Sequence, residues 1–148
     1  MEKTVLCYLI KDDSYLMIKK RNKNGDNNSG KYLGVGGHIE EGETIYDAAR
    51  REIKEETNLD VLELNYRGLV KFIDDDFIED MYLFTSNKFI GEIKESNEGS
   101  LHFIKINEIY NYNIWPGDRI FLEKLKTDEL INIKLIYKNS EFIGWEEL

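Results

Sequence analysis

The sequence predicts an α+β fold in which helices cover a mixed β-sheet. Short apolar runs with strand character recur along the chain, and two other segments carry apolar residues at helical spacing. The chain has 148 residues, the size of one domain, and no linker rich in glycine, serine or proline divides it. We therefore expect a single domain over residues 1–148.

The predicted strands start with a β-hairpin, in which the apolar runs 5–10 and 15–18 are joined by a polar turn. Residues 21–31 are polar and contain two glycines, so they are predicted to form a loop. Further strand-like segments are 61–72, 80–86, 101–106, 131–137 and 141–145, and the shorter run 88–93 is interpreted as an extension of one of them. The three aspartates at 74–76 lie between two strands and are interpreted as a solvated turn.

Two helices are predicted. Thr44 has the character of an N-cap, with Asp47 three residues on, and the helix should end near Asn58, because asparagine tolerates the left-handed conformation of a helix end. A last helix is predicted over 117–126, with Ile120, Phe121 and Leu125 facing inward.

The composition excludes several classes of function. The formal net charge is −9, which argues against broad nucleic-acid binding because that requires a basic surface. No apolar run approaches the ~20 residues of a membrane span, and the first residues lack the pattern of a signal peptide. The single cysteine, Cys7, lies in an apolar run and is expected to be a buried small residue. We expect a cytoplasmic protein that binds neither nucleic acid nor a membrane.

The first helix carries an unusual acidic face. Its apolar sector is defined by three residues, Ile45, Ala48 and Ala49. Glu52 and Glu56 fall inside that sector and Glu55 borders it, because each helical residue advances about 100°. Stacked like charges cost about 0.2–0.5 kcal/mol per pair, and a divalent cation would reverse that cost. Acid-rich helices are often only solvated surface helices. The position of these glutamates therefore does not by itself decide between a metal site and a solvated helix surface.

The spacing around this helix resembles a known signature. Gly37, five residues, Glu43, seven residues and then residues 51–59, Arg-Glu-Ile-Lys-Glu-Glu-Thr-Asn-Leu, are similar to the Nudix box. The one departure is Asn58, which stands where the box has glycine. Asparagine is the best substitute where φ must be positive, so we expect the turn to be kept.

The resemblance implies the Nudix fold, an α/β/α sandwich around a mixed β-sheet, and a reaction in which water cleaves a diphosphate linkage of a nucleotide. It implies Mg²⁺ as cofactor, with Mn²⁺ as the alternative, held by Glu52, Glu55 and Glu56 and by a backbone carbonyl of Gly36 or Gly37. It also implies that Glu43 and Arg51 form a structural ion pair.

Most of the remaining chain is similar to the oxidised purine nucleoside triphosphatase subgroup. The similar segments are 19–21, 30–37, 95–98 and 115–118. The likeness makes Glu98 a further acidic metal ligand, and Glu98, Glu55 and Glu52 are the expected catalytic carboxylates, with the proton acceptor left open between Glu98 and Glu55. Six residues are the expected substrate contacts: Lys19, Leu33, Val35, His38, Trp115 and Asp118.

Some of these residues could instead have a purely structural role. Trp115 is either a base-stacking aromatic or a core residue, and Asp118 either contacts the base or caps the last helix. His102 is interpreted as structural. The subgroup has asparagine where Leu33 stands and aspartate where Gly117 stands, and the polar loop 22–29 is longer than its counterpart.

The expected function is that of a Mg²⁺-dependent nucleoside triphosphate pyrophosphohydrolase, acting on oxidised purines such as 8-oxo-dGTP to give the monophosphate and pyrophosphate. The alternatives are a hydrolase of ADP-ribose, a nucleotide sugar or a dinucleoside polyphosphate, and a catalytically silent Nudix domain that only binds nucleotides or a partner. The expected partner is a small nucleotide, and the expected state is a monomer or weak homodimer.

Overall fold

All residues from Met1 to Leu148 are described by the computed structural model. Its nine strands are β1 Glu2–Lys11, β2 Ser14–Lys20, β3 Tyr32–Leu33, β4 Val35–His38, β5 Asp60–Asp74, β6 Phe77–Ile90, β7 Gly99–Lys105, β8 Ile131–Lys138 and β9 Glu141–Glu147. Its helices are α1 Ile45–Thr57 and α2 Asp118–Lys124, with a 3₁₀ helix over Ile106–Asn111.

The sheet is mixed, as the sequence predicts. The strands β1 and β6 are parallel, as are β5 and β8, while the other neighbouring strands are antiparallel. The hydrogen-bonded order is β3-β2-β1-β6-β5-β8-β9, with β4 beside β1 and β7 beside β2. The long hairpin of β5 and β6 forms the middle of the sheet and turns at the predicted aspartates.

The first hairpin opens to admit two further strands. The strands β1 and β2 pair only next to their turn, where Leu9 lies opposite Leu16. Beyond that point β4 pairs with β1 and β3 pairs with β2, so this short segment, interrupted only at Gly34, fills the gap between them. A side chain at Gly36 would collide with the backbone carbonyl of Val5, so only glycine allows this approach.

Two apolar cores lie on opposite faces of the sheet. Val5, Cys7 and Leu9 of β1 pack on the α1 side with residues of α1, whereas Leu6 and Tyr8 pack on the α2 side. The alternation follows from the period of two along a strand. Helices therefore cover both faces, and the expected α/β/α sandwich is confirmed.

The ends of α1 match their sequence signals. The Thr44 side chain accepts a hydrogen bond from the backbone N–H of Asp47 over 3.1 Å. Asn58 has φ of 67°, the left-handed conformation expected of it. These local caps set where the acidic residues of α1 stand relative to the sheet.

Several elements differ from the prediction. Helix α2 is shorter than 117–126, and Leu122 is fully buried beside Phe121 whereas Ile120 is partly exposed. Neither the 3₁₀ helix nor β3 and β4 was predicted, and β6 ends at Ile90, before the left-handed Gly91. Neither α-helix has the length and apolar character needed to cross a membrane.

Candidate active site

A cavity of about 1430 Å³ runs from the C-terminal half of α1 to the start of α2. One end is lined by acidic residues of α1 and by the Gly36-Gly37 backbone, and we call it the acidic end. The other end is lined by Phe72, Glu79, Met81, Trp115 and Asp118, and we call it the base end. A pocket of this size accommodates a ligand as large as a nucleotide.

Glu56 and Glu52 form the floor of the acidic end. Glu56 is only 5% exposed, and its Oε1 accepts a hydrogen bond from the backbone N–H of Gly36 over 2.7 Å. Burial raises the pKa of Glu56 to about 7, against that hydrogen bond. Burial also raises the pKa of the half-buried Glu52, while Arg51 opposes the shift. The predicted inward acidic face of α1 is therefore present.

Glu55 and Glu98 lie at the rim of the acidic end. The Glu55 side chain is 57% exposed, and its carboxylate is 3.4 Å from the Arg51 guanidinium. The Glu98 carboxylate is 3.1 Å from the Lys20 ammonium and 3.7 Å from that of Lys23. The hydrogen bond from Lys20 lowers the Glu98 pKa. Glu98 and Glu56 line the same cavity, and the Glu98 charge adds a minor contribution to the raised pKa of Glu56.

Arg51 holds the loop before α1 to the helix. Its Nε and Nη2 donate to the two carboxylate oxygens of Glu43 over 2.7 and 2.9 Å, and Nη2 also donates to the His38 carbonyl over 2.9 Å. The predicted ion pair is therefore present, and its hydrogen bonds lower the Glu43 pKa to about 2. Arg51 Nη1 donates to Glu52 over 2.8 Å, so the same guanidinium also orients a floor carboxylate.

The acidic end fits a hard divalent cation in its donor chemistry. Its side chains and the neighbouring glycine carbonyls offer only oxygen ligands, which Mg²⁺ prefers. A Cβ at Gly37 would come within 2.6 Å of the Glu52 carboxyl carbon, so the backbone and the carboxylate lie directly together. No three acidic, histidine or cysteine side chains converge tightly enough to enclose one ion as they stand. Binding a cation therefore requires the carboxylates to exchange Arg51, Lys20 and Lys23 for it.

Asp118 is the buried polar group of the base end. It is the first residue of α2, is 5% exposed, and its side chain makes no hydrogen bond, including none to the helix N-terminus. Burial raises the Asp118 pKa to about 8, and the Glu79 charge adds to the shift. The side chain therefore does not act as a cap, and it lines the cavity without a partner.

Trp115 belongs to both the core and the cavity wall. Its ring packs edge-on against Phe72 and Tyr137, at centroid distances of 5.4 and 5.3 Å. Its Nε1–H donates to Asn28 Oδ1 over 2.7 Å, which ties the polar loop 22–29 to the base end. Trp115 thus holds both expected positions, because the residue is only 8% exposed within the core and also lines the cavity.

A family model described as the NUDIX domain matches residues 2–125. The chain belongs to the Nudix family. It is 30% identical to the Nudix hydrolase YvcI of Bacillus subtilis, over 83% of this chain and 78% of that protein. It is 31% identical to an oxidized purine nucleoside triphosphate hydrolase of Danio rerio, over 79% of this chain and 69% of that protein.

The solved structures extend this likeness to the whole fold. The MutT protein of Bacillus halodurans superposes with a TM-score of 0.87 and 24% identity, over 99% of this chain and 97% of that one. As a Nudix hydrolase, the chain belongs to enzymes that act on pyrophosphate bonds of nucleotide derivatives.

Two expected substrate contacts of this Nudix chain do not line the cavity. Lys19 is exposed on the far side of β2, with its ammonium 5.9 Å from the Tyr32 ring centroid. Val35 is fully buried in the core beneath α1. Strand alternation explains both positions, since neighbouring residues point to opposite faces. Leu33 and His38 do line the cavity, and His38 is 3.0 Å from Glu2.

The structure also brings cavity residues together that the sequence analysis missed. Lys20 and Lys23 face the acidic end, and Thr4 and Glu79 face the base end. Lys20 could have been found from the alternation of side chains along β2, because it lies on the same face of the strand as Leu16 and Ile18. His102, interpreted as structural, is exposed on β7 and lies 2.8 Å from the Ser100 hydroxyl.

Gly117 departs from the subgroup for a packing reason. A Cβ there would lie 2.7 Å from the Tyr137 hydroxyl and 3.0 Å from the Phe142 ring. The Gly117 N–H donates to the same hydroxyl over 2.7 Å. A side chain at this position of the Nudix chain therefore requires the Tyr137 or Phe142 side chain to shift.

Proposed function

We propose that this chain is a Mg²⁺-dependent nucleoside triphosphate pyrophosphohydrolase that acts on oxidised purine nucleotides such as 8-oxo-dGTP. The observation that carries the proposal is that one cavity has the carboxylates of Glu52 and Glu56 at one end and Asp118 and Trp115 at the other. Such an arrangement suits a substrate with phosphates at one end and a flat base at the other. The named relative of Danio rerio supports the same substrate class.

The acidic end would hold the cation and the phosphates. Nudix hydrolases generally use divalent metal ions such as Mg²⁺. The ligands would be Glu52, Glu55, Glu56 and Glu98 with a carbonyl of Gly36 or Gly37. When bound, Mg²⁺ supplies charge neutralisation for the phosphates and lowers the pKa of a water molecule.

Lys20 and Lys23 connect phosphate binding with the proton acceptor. In the structure both ammonium groups lie against Glu98 and hold its carboxylate ionised. A triphosphate in the cavity would offer these lysines a stronger anion, and their transfer to it would free the Glu98 carboxylate. Glu98 could then bind the cation or accept a proton from water, with Glu55 at the rim as the alternative proton acceptor.

The base end would hold the purine. Trp115 and Phe72 give it an aromatic wall, and aromatic contact needs only the π-face of a base. Asp118 keeps its proton at neutral pH because it is buried, so it can donate a hydrogen bond to a base acceptor. The loop 22–29 closes the side of this end through Asn28.

A nucleotide panel with Mg²⁺ tests the proposal directly. We expect 8-oxo-dGTP to be preferred over dGTP, with the monophosphate and pyrophosphate as products. Glu56→Gln and Glu52→Gln should each lower kcat/KM at least about 100-fold, since even indirect ligand partners cost 10–100-fold. Glu63→Gln is the matched control, because Glu63 forms an exposed ion pair with Lys88 away from the cavity. Near-normal turnover in either cavity variant rejects the proposal.

A second candidate keeps the chemistry and changes the substrate. Leu33 lines the cavity with an apolar side chain, which favours substrates that are not read by a polar group there, such as ADP-ribose or a nucleotide sugar. The same panel separates the two, because ADP-ribose yields two monophosphates and no pyrophosphate. A silent nucleotide-binding domain would bind members of the panel and turn over none.

A further inference from the structure

We infer that Glu79 is a specificity-determining residue that, together with Asp118, selects bases presenting an amino group beside a ring N–H, as guanine does. The inference rests on the proposed function, because it assigns the base end of the same cavity. Glu79 is a residue of β6, and neither the Nudix box nor the other matched segments include it.

Glu79 is held in place at the cavity wall. Thr4 of β1 donates its hydroxyl hydrogen to Glu79 Oε2 over 2.7 Å. The pairing of β1 with β6 fixes this contact, since Thr4 lies opposite Met81 and Glu2 opposite Glu79. One carboxylate oxygen is thus occupied, and Oε1 makes no hydrogen bond within the chain. It is available as an acceptor.

Asp118 lines the same cavity as Glu79. Its side chain is more than nine-tenths buried, lines the cavity and has no hydrogen-bond partner. Glu79 is the charged group that acts most strongly on the Asp118 carboxyl, ahead of Lys31. A buried polar group without a partner is costly, so this one is suited to a ligand that supplies the missing hydrogen bond.

The pair defines which base edge fits. A carboxylate accepts hydrogen bonds only, and the free oxygen of Glu79 therefore needs an N–H donor. The guanine edge offers the amino group next to N1–H, whereas hypoxanthine lacks that amino group. A site built to hydrogen-bond a group rejects an analogue without it, because its buried polar atoms are then left unpaired.

The test compares guanine with hypoxanthine nucleotides. We expect the wild type to prefer dGTP over dITP in kcat/KM by at least about tenfold, the size of one hydrogen bond to a charged group. Glu79→Met should reduce the preference to within about threefold, and Thr4→Val should reduce it in part by freeing the carboxylate. Glu63→Gln, a strand glutamate outside the cavity, should leave it unchanged. Circular dichroism checks that each variant folds.

Binding of the products gives a second measurement that needs neither Mg²⁺ nor turnover. Calorimetry should show tighter binding of dGMP than of dIMP to the wild type, and nearly equal binding to Glu79→Met. An unchanged guanine preference in Glu79→Met overturns the inference and leaves the triphosphatase proposal standing. If no triphosphate is hydrolysed, the proposed function fails, and the dGMP to dIMP affinity ratio decides the role of Glu79 by itself.

Discussion

The Glu52 carboxylate lies directly over the Gly37 backbone, so closely that a Cβ on residue 37 would stand 2.6 Å from its carboxyl carbon. The contact joins the strand that fills the open hairpin to the helix that carries the acids. A side chain at residue 37 would displace the Glu52 carboxylate, which is the end of a flexible side chain, and would leave the backbone in place. Glycine is therefore required here for the geometry of the acidic end more than for the fold.

Gly37→Ala should lower activity much more than stability. The methyl group moves the Glu52 carboxylate, while the rest of the fold accommodates it, so we expect kcat/KM to fall at least about tenfold because misplacement by 1 Å is costly. Kinetics and thermal unfolding measure the two effects. Gly144→Ala is the control, since no atom lies within 4 Å of its added Cβ. Equal losses of activity in both variants would contradict the expectation.

Mg²⁺ should raise the melting temperature of the wild type at pH 7.5. A ligand that binds only the folded state stabilises it by about 2.7 kcal/mol at 100 times its Kd. The double variant Glu52→Gln, Glu56→Gln should lose this shift, because both floor carboxylates are gone. Differential scanning fluorimetry with Mg²⁺ and with a chelator measures it. A full shift in the double variant would place the cation elsewhere.

Asp118 should make the metal-free protein less stable as pH rises. Its pKa goes from 3.8 to about 8 on folding, so between these values the unfolded chain loses the proton first and the free energy of unfolding falls. The slope from this group is at most about 1.4 kcal/mol per pH unit. In chemical denaturation from pH 5 to pH 8, the free energy of unfolding of Asp118→Asn should rise relative to that of the wild type. A constant difference between the two proteins would refute the raised pKa of Asp118.

Gly117→Ala should destabilise the protein by about 1–3 kcal/mol, the usual cost of overpacking. The added methyl group meets the Tyr137 hydroxyl and the Phe142 ring. The loss should be smaller when Gly117→Ala is made in a Tyr137→Phe background, because the nearer atom is then absent. Urea denaturation of the four proteins gives this cycle, and purely additive losses would mean that the hydroxyl is not the obstacle.

Asn28→Ala should weaken substrate binding through the loop 22–29. It removes the acceptor of the Trp115 Nε1–H and so frees the loop from the base end. We expect KM to rise several-fold with a smaller change in kcat. In a Trp145→Phe background Trp115 is the only indole, and its fluorescence should respond to nucleotide. A response that is absent would show that the base does not reach this wall.

Helix α1 and its acids could be predicted because their determinants are local. The apolar period, the Thr44 cap and the Asn58 turn all lie within the helix or next to it. The Nudix box added the pairing of Glu43 with Arg51, eight residues apart. The fold class followed from the same kind of local pattern in the strands.

The parts that escaped prediction depend on distant partners. The strands β3 and β4 have little apolar alternation of their own. They become strands because β1 and β2 separate and pair with them. Glu79 meets Thr4 across 75 positions of the chain, through a strand register that no local pattern states. The resemblance points to Lys19, whereas Lys20 is the lysine that lines the cavity, because likeness of a segment does not specify which face a side chain takes.

The cavity carboxylates of α1 stand on one layer of the sandwich and Trp115 and Phe72 stand on the other, with the open hairpin between them. Under the proposed function, exchange of Glu79, Asp118 or the Asn28 loop should therefore alter which nucleotide is accepted without moving the carboxylates of α1. The proposal thus predicts that the accepted base can change while the residues that would hold the phosphates stay the same.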